Sequence, residues 1–258
     1  MEVKIFETPE DVARAAAQYF VEQCRDAVAR SNGFTVGLSG GSTPKRLYEL
    51  LVDPNEPFRE QIAWNKTFFF FTDERNVPPD HADSNYRMVY EAMFSRAPRT
   101  EIYRIPGEKP AAEAAETYED LLVEFYGVEV PDLDLILLGL GEDGHTASLF
   151  PGSPALQEKA RFVAAPWVEK LNAYRITLTL PVLNNARSVV FLVTGASKAA
   201  ILREIIYADR KPKEYPAQAI SPTNGAVSWL VDTVAARLCS TSNSSNADFE
   251  SDLLNKHP

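Results

Sequence analysis

Leu133–Pro151 reads LDLILLGLGEDGHTASLFP, and the way this stretch divides decides the fold. Leu133–Leu138 is a nearly unbroken apolar run, interrupted by Asp134, and it has the length of one strand. Such a run suits a strand buried on both faces of a parallel sheet. The texture then changes. Gly139, Gly141 and Gly144 make the backbone permissive. Glu142, Asp143 and His145 place two carboxylates and an imidazole within four residues. Thr146 or Ser148 is placed to cap whatever follows. A buried strand that breaks into a glycine-rich loop bearing acids and a histidine is where an open α/β sheet places its ligand. His145, one of three histidines, is the expected catalytic base. A Gly-Asp-Gly turn by itself is often only a turn, and the functional reading gains weight from three other strand ends.

The first of these lies upstream. Phe34–Leu38 is a short buried strand that runs into Ser39-Gly40-Gly41-Ser42-Thr43-Pro44, and a helix from Lys45 to Val52 follows. Pro44 suits the first turn of that helix, and Ser42 or Thr43 its cap. A strand, a glycine- and hydroxyl-rich loop and a helix N-terminus together offer free backbone N–H groups and a positive dipole end, which bind phosphate. No Gly-Lys-Ser/Thr closes the loop, so it is not a Walker loop. Gly37–Gly41 also fits G-x-S-x-G, the nucleophile elbow of serine hydrolases; the helix start delayed to Ser42–Pro44 favours a cradle but leaves the elbow open.

The second strand end follows Lys66–Phe71, with its four consecutive phenylalanines, and reads Thr72-Asp73-Glu74-Arg75. A salt-bridged loop is the plain alternative there. Asp83-Ser84-Asn85 then caps a helix with Arg87 in its first turn. A cation at that place opposes the helix dipole, so Arg87 serves a ligand or an acid rather than the helix. The third follows the apolar strand Ser188–Val193 and reads Thr194-Gly195-Ala196-Ser197-Lys198, ahead of a helix to about Tyr207.

The remaining elements alternate in the same way. Val3–Phe6 reads as a strand, and Thr8-Pro9-Glu10-Asp11 starts an alanine-rich helix that Asn32-Gly33 ends. Ile102–Ile105 reads as a strand and Pro110 to Tyr126 as an amphipathic helix. Phe162–Ala165, Arg175–Leu180, Pro216–Ile220 and Val227–Val231 read as strands, and Asp232–Leu238 as a closing helix. Residues 1–239 thus form one α/β domain around a mainly parallel, Rossmann-like sheet with both faces covered. From Ser240 the chain turns serine- and asparagine-rich, and 240–258 reads as a disordered polar tail.

Composition narrows the function. The chain has 258 residues and a formal net charge of −10, which argues against nucleic acid and anionic membrane as partners. Cys24 and Cys239 are far apart, and no His/Cys cluster has metal-ligand spacing, so neither a disulfide framework nor a zinc site is expected. No apolar stretch has the length of a membrane span, and the N-terminus lacks a signal core, so a cytoplasmic protein is expected. In a parallel sheet the four loops share one edge. They gather an anion cradle, two acid-bearing loops, a histidine and cations, which fits a small phosphorylated molecule undergoing proton transfer.

GLSGGSTP at Gly37–Pro44, TDERNVP at Thr72–Pro78, SNYRM at Ser84–Met88, GLGEDGHTASLFPG at Gly139–Gly152, RITLTLPVLNNAR at Arg175–Arg187 and TGASKA at Thr194–Ala199 appear in one order. In that order they resemble the lactonase motifs of the glucosamine-6-phosphate isomerase/6-phosphogluconolactonase family. Glu142 stands where many members have proline or a small residue. The resemblance implies a three-layer αβα sandwich shared with glucosamine-6-phosphate deaminase. It also implies hydrolysis of 6-phospho-D-glucono-1,5-lactone to 6-phosphogluconate in the oxidative pentose phosphate pathway.

On that reading His145 activates water and Asp143 orients it, with no metal, cofactor or covalent nucleophile. Gly40, Gly41, Ser42 and Thr43 hold the phosphate, and Lys198 and Arg175 neutralise it with Arg75 or Arg87 nearby. Asp73 binds sugar hydroxyls or anchors Arg75. The partner is a phosphorylated sugar lactone, and a monomer or small homo-oligomer is expected.

Three rivals remain at this point. The deaminase branch carries Asp-Glu-Tyr where this chain has Asp73-Glu74-Arg75, and a different run at Thr146–Pro151, which favours the lactonase. A serine hydrolase would need Ser39. A non-catalytic sugar-phosphate sensor of the related regulator kind would carry an added DNA-binding module, for which no basic helix-turn-helix candidate is present, and would not need His145.

Overall fold

The four phenylalanines show how the layers form. In a computed structural model that describes residues 1–127 and 129–239, successive side chains of Thr67–Phe71 point to opposite faces of a sheet. Phe68 and Phe70 meet Phe125 at ring-centroid distances of 5.2 and 5.1 Å. Phe69, on the other face, packs at 6.4 Å from Phe20, which also meets Phe34 edge-on at 5.2 Å. Phe125 and Phe20 belong to different helices, so this one strand is sandwiched between two helical layers. The 240–258 tail lies outside the described residues.

The strands are β1 (Glu2–Phe6), β2 (Phe34–Leu38), β3 (Thr67–Phe71), β4 (Asp73–Arg75), β5 (Glu101–Tyr103), β6 (Leu135–Leu138), β7 (Val163–Ala164), β8 (Trp167–Val168), β9 (Ala173–Leu178), β10 (Ser188–Val193) and β11 (Ala226–Asp232). The helices are α1 (Pro9–Ser31), α2 (Ser42–Val52), α3 (Phe58–Gln61), α4 (Asn85–Val89), α5 (Ala111–Tyr126), α6 (Leu180–Leu183), α7 (Ala199–Tyr207) and α8 (Thr233–Ala236). Seven strands form a sheet in the order β1-β11-β10-β6-β2-β3-β5, every pair parallel. A second, antiparallel sheet joins β4, β9 and β7, with β8 paired to β9. The architecture is the expected three-layer αβα sandwich.

Topology fixes where a ligand goes. From β2 the chain proceeds outward through β3 to β5, then returns to lay β6 on the other side of β2. The order reverses between β2 and β6, and a crevice opens at the carboxyl ends of strands at such a switch point. The loops after β2 and β6 are Ser39–Thr43 and Gly139–His145.

Asp134, the one interruption in the apolar run, has a structural use. Its carboxylate accepts from the Thr35 N–H at 2.9 Å and the Thr35 hydroxyl at 3.1 Å, and it pairs with Arg30. A buried charge is tolerable when so paired, and this one sets the β6–β2 register.

Some local expectations give way. Thr8 does cap α1, in a capping box with Asp11. Ser42 and Thr43 do not cap α2; its N-cap is Gly41 at φ 113°, with no side-chain bond. No helix follows Thr146 or Ser148. The Thr146 hydroxyl donates to the Gly139 carbonyl and the Ser148 hydroxyl to Asp73. Thr72–Arg75 is not a salt-bridged loop but contains β4, and Arg75 makes no ion pair among the described residues. Pro216–Ile220 is not a strand: Pro216, which lacks an N–H, opens a 3-10 turn over Pro216–Ala219. The Ala217 N–H of that turn donates to the Gly144 carbonyl at 2.9 Å, so the turn braces the histidine loop. Among the described residues no helix is long and apolar enough to cross a membrane.

Candidate active site

A cavity of about 430 Å³ opens at the switch point. His145 and Gly40 to Thr43 line it, as do Asp73, Arg75, Arg175 and Lys198. Asp143 reaches His145 from behind. Arg87 is elsewhere: its guanidinium donates to Glu91 at 2.7 Å and to the Asp80 carbonyl at 2.9 Å, and it is absent from the cavity wall. Of the two services expected of it, Arg87 performs the one toward an acid.

The glycine- and hydroxyl-rich candidate cradle comes from β2 running into α2. The α2 N-terminus leaves its first amides without intrahelical partners, Gly41 turns the chain there at φ 113°, and Gly41, Ser42 and Thr43 line the cavity. Tyr48 pins the loop from below, accepting from the Ser39 N–H at 3.1 Å and donating to the Ser39 carbonyl at 2.8 Å. The hydroxyls of Thr43 and Thr194 lie 2.7 Å apart and join the β2 and β10 loops across the crevice. Gly40 is required on steric grounds: a Cβ there would stand 1.9 Å from Asn85 Oδ1. The Ser39 hydroxyl is buried with no hydrogen-bond partner among the described residues, so no base activates it and the nucleophile-elbow alternative lapses.

Three cations surround the cradle. Arg75 and Arg175 are directly opposed in the β4–β9 register. Arg75 donates to the Asp83 carbonyl at 2.5 Å and Arg175 to the Tyr174 carbonyl at 3.0 Å, leaving further N–H groups of each fork free. Burial and the adjacent Arg75 pull the Arg175 guanidinium below its ordinary value, against the carboxylates of Asp73, Asp83 and Glu74. Two like charges held together in partial burial favour an anion between them. Lys198, half-buried at the N-terminus of α7, has no ion pair among the described residues. Its loop is fixed by Asp232, which accepts from the Gly195 N–H at 3.1 Å.

The imidazole is held on several sides. Asp143 Oδ1 lies 2.5 Å from His145 Nδ1 and accepts the His145 backbone N–H at 3.2 Å. An ionised carboxylate accepts only, so the ring donates its Nδ1–H to Asp143 and leaves Nε2 as its other nitrogen. The Phe150 ring stacks on the imidazole at 4.2 Å. A Cβ on Gly141 would stand 1.9 Å from Nδ1, so only glycine fits beside the ring. Burial would raise the Asp143 carboxyl, but hydrogen bonds from His145 and Lys170 outweigh it and hold Asp143 well below the ordinary carboxylate range. Asp143 is therefore a fixed negative charge.

Asp73 is buried and does not anchor Arg75. It accepts from Ser148 Oγ at 2.7 Å and from Asn85 Nδ2 at 3.3 Å. Glu74, beside it, is a structural acid: burial pushes its carboxyl up, while N–H donors of Tyr86, Asn85 and Arg75 pull it back only in part.

The sequence reading missed Lys170, Phe150, Asn85 and Ser148 as site residues. Phe150 and Ser148 lie within the motif that carries His145, and Asn85 within SNYRM. Lys170 lies in a stretch with no periodicity to mark it.

A doubly covered parallel sheet with an anion cradle and a His–Asp pair at its switch point defines a sugar-phosphate enzyme class. The chain belongs to the glucosamine-6-phosphate isomerase/6-phosphogluconolactonase family, whose model matches residues 7–229. It is similar to the 6-phosphogluconolactonase of Synechocystis sp., at 45% identity over 81% of this chain and 86% of the relative. The solved structure of 6-phosphogluconolactonase from Trypanosoma brucei matches with a TM-score of 0.81 at 30% identity, over 93% of this chain and 98% of that one. A monomeric glucosamine-6-phosphate deaminase, at 20% identity and a TM-score of 0.76 over 92% and 100%, shares the fold.

Proposed function

We propose that this protein hydrolyses 6-phospho-D-glucono-1,5-lactone to 6-phospho-D-gluconate. The observation that carries the reading is His145, paired with Asp143 at 2.5 Å, in the wall of a cavity that Arg75, Arg175 and Lys198 also line. The 6-phosphate lies on the amides and hydroxyls of Gly40 to Thr43, neutralised by those cations. Arginine forks suit its oxygens. The lactone carbonyl then lies toward His145.

Nε2 accepts a proton from a water whose oxygen attacks the carbonyl carbon. The tetrahedral intermediate collapses, the carbon–ring-oxygen bond breaks, and the imidazolium returns its proton to the departing ring oxygen. Asp143 holds the tautomer and stabilises the transient imidazolium. General acid–base assistance of this kind is worth about 10²–10⁴-fold, which is enough for a strained, reactive ester. Asp73, held by Ser148 and Asn85, faces the sugar hydroxyls. The same proposal places the reaction in the cytoplasm, in the oxidative pentose phosphate pathway, by a monomer or small homo-oligomer that engages neither nucleic acid nor membrane.

The test is hydrolysis of the lactone, generated by glucose-6-phosphate dehydrogenase, measured against the spontaneous rate at pH 6.5. Ammonia release from glucosamine 6-phosphate is measured in parallel. The proposal predicts lactone hydrolysis well above the spontaneous rate and no ammonia. Ammonia release without lactone hydrolysis would assign the deaminase activity instead.

A further inference from the structure

Behind the His145–Asp143 pair stands a side chain that the mechanism above does not use. Lys170 comes from a strap that leaves the second sheet at β8, passes through a 3-10 turn over Glu169–Leu171, and returns at Asn172 (φ 46°) into β9. Its ammonium donates to Asp143 Oδ2, while Asp143 Oδ1 takes His145 Nδ1. The same Nζ lies 4.6 Å from the centroid of the Phe150 ring, and Phe150 stacks on His145. One cation therefore touches both groups that clamp the imidazole, its acceptor and its stacking platform. Lys170 also lines the cavity, on the strap that five residues later supplies Arg175.

The electrostatics of the pair need such a cation. A carboxylate 2.5 Å from an imidazole favours the imidazolium. That is useful once the base has accepted its proton, and harmful if it fills Nε2 beforehand. We propose that Lys170 is a positioning residue for the reaction: it neutralises Asp143 from the strap, so that Asp143 fixes the Nδ1–H tautomer without drawing a second proton onto Nε2 in the resting enzyme. The other charged groups of the cavity are Asp73 and Arg75 on β4, Arg175 on β9 and Lys198 at α7, and none of them hydrogen-bonds the imidazole. Lys170 is thus the cation in direct contact with the pair. It also ties the strap, and with it Arg175, to the histidine loop.

The kinetic consequence rests on the lactonase reading; the charge coupling does not. Two readouts separate them. Lys170→Met keeps the stem over Phe150 and removes the charge, and Lys170→Arg keeps the charge. In stopped-flow kcat/KM profiles from pH 5 to 7.5, the acid limb of Lys170→Met moves to higher pH by about one unit. On the acid limb this lowers kcat/KM by up to about tenfold, while 6-phosphogluconate binding changes less than about threefold. Lys170→Arg returns the limb to its original position. In the ligand-free protein, the His145 Cε1–H resonance, assigned by its loss in His145→Gln, titrates at correspondingly higher pH in Lys170→Met. An unmoved resonance midpoint in folded Lys170→Met overturns the proposal whatever the enzyme's substrate. So does a loss confined to 6-phosphogluconate affinity, which marks Lys170 as a tether for Arg175 alone.

Discussion

The ring of His145 is fixed by Asp143 at its Nδ1 edge, by Phe150 across its face and by the absence of a side chain on Gly141. That last constraint is the sharpest. Gly141 does not have a left-handed backbone, so alanine suits its conformation but not its surroundings. Gly141→Ala should leave far-UV circular dichroism unchanged and move the ring off its 2.5 Å bond with Asp143. A displacement of about 1 Å costs on the order of 10²-fold in rate, so kcat should fall by about that factor with 6-phosphogluconate affinity nearly intact. A loss of affinity alone would show that Gly141 serves binding instead. At this scale the sequence was informative where chemistry and glycine coincide. His145, Asp143, Gly40 to Thr43 and Lys198 announce themselves at strand ends, whereas Arg175 lies within β9. Arg87 was correctly read as opposing its helix dipole, yet Glu91, one turn on, satisfies it. Lys170 stayed hidden because its partner is 27 residues away on a different element.

Among the elements, the short α8 does more than close the chain. Asp232 ends β11, caps α8 by accepting the Ala235 N–H at 2.7 Å, and holds the Gly195 N–H at 3.1 Å. It therefore couples a helix start to the loop that presents Lys198. Asp232→Ala should cost about 1–2 kcal/mol through the lost cap, lowering Tm by roughly 2–8 °C in a domain of this size. Because the Lys198 loop loses its tether, 6-phosphogluconate should also bind several-fold more weakly by calorimetry. A melting change with unaltered binding would confine Asp232 to a structural role. Caps of this kind are local and legible: Thr8 with Asp11 could be read directly from the chain. The 3-10 turn at Pro216 could not, since its apolar residues pack like a strand and its reason for turning is the distant Gly144 carbonyl. Likewise β4 and β9 read as a loop and a strand of unknown partner, because their pairing exists only in three dimensions.

For the whole molecule, the alternation of strands and helices fixed the layer architecture, and the carboxyl-end rule predicted that the loops would converge. The strand order was not legible. Nothing local says that β6 returns to the far side of β2, and that reversal is what opens the crevice between the phosphate cradle and His145. The central claim is that the fold brings a general base to a lactone held by its phosphate. The most direct measurement is stopped-flow lactone hydrolysis at pH 6.5 by the wild type and His145→Ala, with 6-phosphogluconate binding measured on both. The account predicts that His145→Ala loses about 10²–10⁴-fold of the enzymatic rate and still binds 6-phosphogluconate. Equal rates for the two proteins would contradict it, because the water would then be activated by some group other than His145.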